Sequence, residues 1–177
     1  MVQDYALEVI QLGLLQDRAA LRAAVDAVPE SKRTTKSAPD RWSVAEILEH
    51  VAIVNSRIAA MIVALAPTAP LLAASAMASP TDIDREAFRD RSAKWSAPDT
   101  VHPQGKYDAI GAWKLLERSW DDVDAALVAA SGRDLTKISR PHPIVGALDG
   151  YQWLWAVGAH EERHAAQIVE LAKTLKN

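Results

Sequence analysis

His160 and His164 stand four residues apart in the run AHEERHAAQI, residues 159–168 of a 177-residue chain. On a helix this spacing turns about 40° and climbs about 6 Å, so both imidazoles can reach one metal ion. The five residues His160-Glu161-Glu162-Arg163-His164 also satisfy H-E-x-x-H, in which the first Glu serves zinc proteases as general base. A protease needs more: a further ligand downstream and an edge strand to hold an extended peptide. Only 13 residues follow His164, in one continuing helical pattern, and Gln167 and Glu170 stand where the elongated motif carries Gly and His. Glu170 lies about 240° around the helix from His164 and cannot turn back to the pair. The protease reading lacks its parts, and Glu161 reads as a solvated neighbour rather than a base.

A third ligand can come from another helix. His50 lies two turns into an earlier helical pattern, with Ile47, Val51 and Val54 on its inward side. An imidazole placed there costs free energy unless it is hydrogen-bonded or ligated. One histidine from that helix and the pair at 160 and 164 would make a three-histidine site with coordination positions left for water or substrate. The residues alone leave a plainer reading open. His50 can be a satisfied core histidine, and the later pair a solvated face beside Glu162 and Arg163.

Composition narrows the chemistry. The chain has no cysteine, so any metal must be held by His, Asp or Glu. A net charge of −3 with no basic stripe argues against a nucleic-acid partner. The N-terminal MVQDYALEVIQL places Asp4 and Glu8 where a signal peptide carries basic and then apolar residues, so a cytoplasmic protein is expected. Residues 58–81 carry no charge before Asp82 and are long enough to span a bilayer. Pro67 and Pro70 interrupt them, so this stretch reads as a helix end followed by a loop packed on the protein, with no membrane partner.

Four long helical patterns position the histidines. The first covers residues 5–28, with Leu7, Ile10, Leu14, Leu21 and Val25 at helical spacing. The second starts at Ser43, where Ser43 and Glu46 form a capping box and Trp42 and Ile47 a hydrophobic staple, and it runs to about residue 65. A connection of about 40 residues follows, long enough to let its flanking helices run parallel. Inside it, TDIDREAFRDR reads as a short helix capped by Thr81 or Asp82, and SAPDTVHPQGK as a loop. The third long helix covers residues 107–130, with Ile110, Trp113, Trp120, Val123 and Leu127 in register and Gly132 beyond its end. SGRDLTKISRPHPIVGAL reads as a loop, and no convincing strand appears. The fourth helix repeats the start signals, with Asp149 and Gln152 as capping box and Leu148 and Trp153 as staple. Four amphipathic helices in one domain, residues 1–177, predict an all-α four-helix bundle.

Two segments carry a family resemblance. RWSVAEILEHVAIVNSRI at 41–58 resembles the W-S-x-x-E-I-L-x-H-L segment of the DinB-like superfamily. HPIVGALDGYQWLWAVGAHEERHAAQI at 142–168 resembles its HP-x-x-G…QW…H-x-x-R-H-x-x-Q-I segment. The resemblance implies an up-down-down-up bundle with a long crossover between its second and third helices, and a metal triad at His50, His160 and His164. The same three residues emerged from helix geometry. Some members of this superfamily are S-transferases or isomerases that use low-molecular-weight thiols such as bacillithiol or mycothiol; others are described as damage-inducible proteins or metal-dependent hydrolases. The resemblance thus implies a small-molecule enzyme with a divalent ion, zinc or nickel, and a thiol cosubstrate. The alternatives are a hydrolase, a non-catalytic metal- or ligand-binding protein of a stress response, and a structural bundle with a vestigial site. Homodimerisation through outer helix faces is a further expectation.

The remaining candidates are weaker. Glu46 is explained by its cap. Gln167 can line the pocket or fix an imidazole, and Trp113, Trp120 and Trp153 are cavity walls or plain core. His102 and His142 sit beside prolines; for the latter, in the HP-x-x-G segment, the family resemblance implies a turn-forming role. Arg57 and Arg163 are candidates to receive an anionic thiol.

Overall fold

Local start signals set the helices in place. In the computed structural model, which describes residues 4–73, 85–89, 91, 92, 95 and 97–175, α1 spans Tyr5–Asp26 and is capped by the Asp4 side chain, which accepts from the Leu7 amide. Helix α2 spans Val44–Leu65 behind a complete Ser43–Glu46 capping box. The crossover contains the short helix α3, Arg85–Arg89; Thr81 and Asp82, its expected caps, lie outside the described residues. Helix α4 spans Ala109–Ala130, capped by Asp108, and Gly132 follows it with φ +71°. Helix α5 spans Gly150–Leu175, and its Asp149–Gln152 box is reciprocal, with both amide-to-side-chain bonds formed.

The core separates into two apolar clusters, and their membership gives the topology. One joins the start of α1 (Ile10, Leu14), the end of α2 (Ile58, Ile62), the end of α4 (Val123, Leu127) and the start of α5 (Leu154, Val157). The other joins the end of α1 (Leu21, Val25), the start of α2 (Ile47, Val51), the start of α4 (Ala112, Leu116) and the end of α5 (Ile168, Leu171). Helices α1 and α5 therefore run one way, α2 and α4 the other: an up-down-down-up bundle whose long crossover returns the chain from the end of α2 to the start of α4. Between the clusters, at the waist, sit the buried polar residues Asp17, Asn55, Ser119 and Glu161.

Two sequence expectations change. Ile110 is 51% exposed, because the face of α4 that meets α2 carries Ala112, Leu116 and Ser119 instead. Small residues there permit close approach, and a large one beside them is excluded. Residues 139–149, read as loop, form a small antiparallel hairpin of β1 (Ser139–His142) and β2 (Gly146–Asp149). Its turn is held by the His142 ring, whose Nδ1 accepts from the amides of Ile144 (3.2 Å) and Val145 (3.3 Å), and Gly146 takes φ +86°. A four-residue strand built on a proline and a histidine carries no alternation for a pattern argument to find.

Of the stretch expected to pack on the protein after α2, residues 66–73 do so in part: Ala69 and Leu72 are buried, and the Leu72 amide donates to the Gly132 carbonyl at 2.8 Å, while residues 74–81 lie outside the described residues. The segment Val44–Thr68 is long and apolar enough to cross a membrane by length and composition. In the fold it is a core helix, and Glu49, His50 and Asn55 are buried on it.

Helices α1 and α5 meet through reciprocal glycines. Gly13 seats the Trp155 ring, and Gly158 seats the Asp17 carboxylate, where an added Cβ would overlap Oδ2. Asp17 cannot swing aside without releasing Arg85 of α3, which it holds at 2.6 Å. Gly158→Ala is therefore expected to destabilise the fold by about 1–2 kcal/mol despite alanine's better helix propensity. Chemical denaturation against the parent protein measures it.

Candidate metal centre

The capping box at Ser43 sets the register of α2 and so places His50 on the face toward α5. From there His50 Nε2 lies 3.1 Å from His160 Nε2, which lies 3.1 Å from His164 Nε2. The ligand atoms of all three rings fall within 4.8 Å of one another. His50 and His164 are buried and His160 is partly so.

Outer partners orient two of the rings. His50 Nδ1 is 2.8 Å from the Val101 carbonyl oxygen, which can only accept, so this ring carries its proton on Nδ1 and turns the lone pair of Nε2 inward. His164 Nδ1 donates in the same way to Gln167 Oε1 at 2.7 Å. His160 Nδ1 is buried without a partner. Whatever tautomer His160 adopts, at most one of the two 3.1 Å contacts can hold a proton, so in the other, two nitrogen lone pairs face each other. A cation at the centre removes that conflict. The 3.1 Å edges are close to the roughly 3.3 Å edge of a tetrahedron with metal–nitrogen bonds of about 2.05 Å. Chemistry and spacing of the donors both fit a divalent ion.

Burial tunes the rings to the same end. It pushes His164 down to about 3, assisted by the facing His50, holds His160 well below its ordinary value, and lowers His50. Neutral imidazole is the ligating form, and the fold maintains it without a metal.

The support for His50 extends to residues no motif announced. Glu49, the preceding residue on α2, is buried, and its two carboxylate oxygens accept from the amides of Gln104 (3.1 Å) and Gly105 (2.9 Å). Successive α2 side chains thus grip the 101–105 segment, one through its amides and one through the Val101 carbonyl. The segment read as plain loop fixes a ring of the triad. Glu49→Ala strands those two amides and frees the segment, so metal affinity is expected to fall about 10- to 100-fold, as competition with a chelator would show.

Glu161 is a correction. It is fully buried, not solvated. Its Oε1 accepts from Asn55 Nδ2 (2.8 Å) and Trp120 Nε1 (2.9 Å), while Oε2 has no partner, and burial pushes its carboxyl up to about 7. Adjacent residues on a helix point about 100° apart, so Glu161 enters the α2–α4 interface as His160 enters the triad.

The triad opens on an apolar cavity of about 330 Å³, walled by Trp42, Val54, Ile58, Phe88, Trp95 and Trp153, with Arg57 and His142 also on its lining. A second, polar chamber of about 460 Å³, with Arg41, Arg91 and Glu170, shares His164 and Arg163 with the first. The Arg163 side chain ties the crossover down, donating to the Phe88 carbonyl at 2.8 Å with its guanidinium 4.3 Å from the Trp95 ring centre. Trp113 and Trp120 stack edge-on away from the triad. His102 packs on Trp42 without joining the triad.

The profile of the DinB superfamily matches residues 14–168, a span that contains all three histidines. A protein of Bacillus subtilis (strain 168) bearing the name Uncharacterized protein YuaE is 24% identical over 151 residues, covering 83% of this chain and 87% of its own. No solved structure matches the chain.

Proposed function

The chain belongs to the DinB superfamily, and from that premise we propose that it is a metal-dependent enzyme of small molecules, a thiol-dependent S-transferase that holds zinc or nickel on His50, His160 and His164. The observation that carries the reading is the convergence of three Nε2 atoms, two of them fixed by outer acceptors, on the wall of an apolar cavity. Both ions suit imidazole donors.

When bound, the ion supplies Lewis acidity that favours the deprotonated form of a sulfur donor beside it. The chain's own residues do the rest. Val101 and Gln167 keep the two rings aimed, Trp42, Trp95 and Phe88 exclude water, and the arginine-bearing chamber receives the polar part of the thiol. In the net reaction a sulfur–carbon bond forms, the bond from that carbon to the leaving group breaks, and the leaving group departs with its electron pair while the thiol proton is released. Among the described residues no carboxylate lines the apolar cavity, an arrangement that favours a sulfur nucleophile over a hydrolase assisted by a general base. The cytoplasm, where such thiols stay reduced, is the compartment this reading requires.

The test combines elemental analysis of the purified protein with a panel of low-molecular-weight thiols and electrophiles. Turnover that needs both thiol and metal, and is lost in His160→Ala, is the expected result. Bound metal with no turnover would mean a binding protein, and consumption of electrophile without thiol would mean a hydrolase.

A further inference from the structure

Arg57 is the one guanidinium at the apolar cavity that no described interaction employs. It is exposed on α2, and it lines the cavity beside Val54 and Ile58. Arg163, the other arginine there, is committed to the Phe88 carbonyl and the Trp95 ring. No acidic residue among the described ones lines this chamber, so no described residue within it neutralises Arg57.

A second ring that can donate lines the same space. Because His142 Nδ1 accepts from two amides, its neutral ring carries the proton on Nε2, as an N–H donor on the cavity lining. The ring itself is held in place by Trp153 (5.1 Å) and Phe88 (5.5 Å). Away from the three histidines, an apolar chamber with one guanidinium that no described residue neutralises and one N–H donor offers what an organic anion requires, and none of its described lining residues is acidic. Position sets the length of that anion. Arg57 follows His50 by seven residues, two turns of α2, which separates them by about 10 Å along the helix axis.

We infer that the cavity selects a hydrophobic monocarboxylate, its carboxylate on Arg57 and its apolar body among the tryptophans, with the far end presented to the three histidines. This rests on the reading of the cavity as the electrophile's chamber. It adds the substrate's class: an aliphatic or aryl acid whose reactive carbon lies several bonds from its carboxylate.

Binding to the metal-free full chain separates this from the metal chemistry. Octanoate and 4-phenylbutanoate are titrated against tryptophan fluorescence, since Trp42, Trp95 and Trp153 all line the chamber, with octanamide and octylamine as matched bodies lacking the anion. Both acids are expected to bind about tenfold or more tighter than the amide or amine. Arg57→Gln, a change at an exposed position, should erase that preference chiefly by weakening the acids, and Arg57→Lys should restore part of it. Equal binding of octanoate and octanamide, an undiminished preference in Arg57→Gln, or no binding of either acid would overturn the inference. A carboxylate preference without thiol-dependent turnover of the metal-loaded protein would leave it standing and remove the transferase reading instead.

Discussion

His50→Ala is expected to abolish the stabilisation that a divalent ion such as zinc or nickel should confer on the fold. At an ion concentration about 1,000 times its dissociation constant, the parent protein gains about 4 kcal/mol, because the ion binds only the folded chain. For a domain of this size each kcal/mol moves the melting temperature by about 2–4 °C, so the expected rise is roughly 8–16 °C. His50 is the only member of the triad on α2, so its loss removes both a ligand and the link between the helices. Losing an outer-shell partner alone typically costs 10- to 100-fold in affinity. Losing a ligand itself costs more, and the shift at the same ion concentration should shrink below about 2 °C. The quantity to compare is the change in melting temperature between chelator and ion for each protein, which cancels the intrinsic cost of the substitution. An equal rise in parent and variant would rule out His50 as a ligand.

What could be read from the chain, and what could not, follows the range of the interactions involved. The Ser43–Glu46 and Asp149–Gln152 boxes are complete within four residues, and both stand where the pattern places them. His160 and His164 share a helix face for the same local reason. That His50 meets them was legible because three amphipathic clues coincided: an imidazole on an apolar face, a helical pair elsewhere, and a bundle to bring them together. Glu161 misled because its charge suggests solvent, whereas its environment is set by Asn55 and Trp120, 106 and 41 residues away. Val101 contributes a carbonyl to His50, and a main-chain acceptor has no signature in side-chain identity. Glu49 sits beside a histidine in the motif, but its partners are two amides in a loop whose path no periodicity describes. Ile110 shows the same limit within a helix. Spacing proposed a stripe, and the closeness of α2 and α4 chose its neighbours.

Below pH 6.5 the metal-free fold should lose stability steadily, and Glu161→Gln should make that loss steeper. Burial depresses His164 to about 3 and His160 well below its ordinary 6.5. From pH 6.5 downward the unfolded chain therefore takes up protons that these two folded rings refuse, and each ring removes about 1.4 kcal/mol of stability per pH unit. His50 and His142 are also lowered and act in the same direction near the top of that window. Glu161 acts oppositely. Its carboxyl is raised from 4.5 to about 7, so the folded chain keeps a proton that the unfolded chain releases. That contribution is full below pH 4.5 and lost as pH rises through 7. Acidification from 6.5 to 5 thus restores about 1.4 kcal/mol per unit through Glu161 while the two histidines remove about twice as much. The histidines outweigh Glu161, so the parent slope should be positive across this window, and Glu161→Gln should steepen it by roughly 1 kcal/mol per unit. Glutamine keeps an oxygen for Asn55 and Trp120, so the change removes the titration and spares the contacts. It should also leave the variant more stable than the parent at pH 8, where the parent must bury a charged carboxylate with one unpartnered oxygen. Urea unfolding of chelator-treated proteins across pH 5–8 measures both slopes. A parent profile flat between pH 6.5 and 5, or a Glu161→Gln profile parallel to it, would mean that the waist of the bundle admits enough water to leave these groups at their solution values.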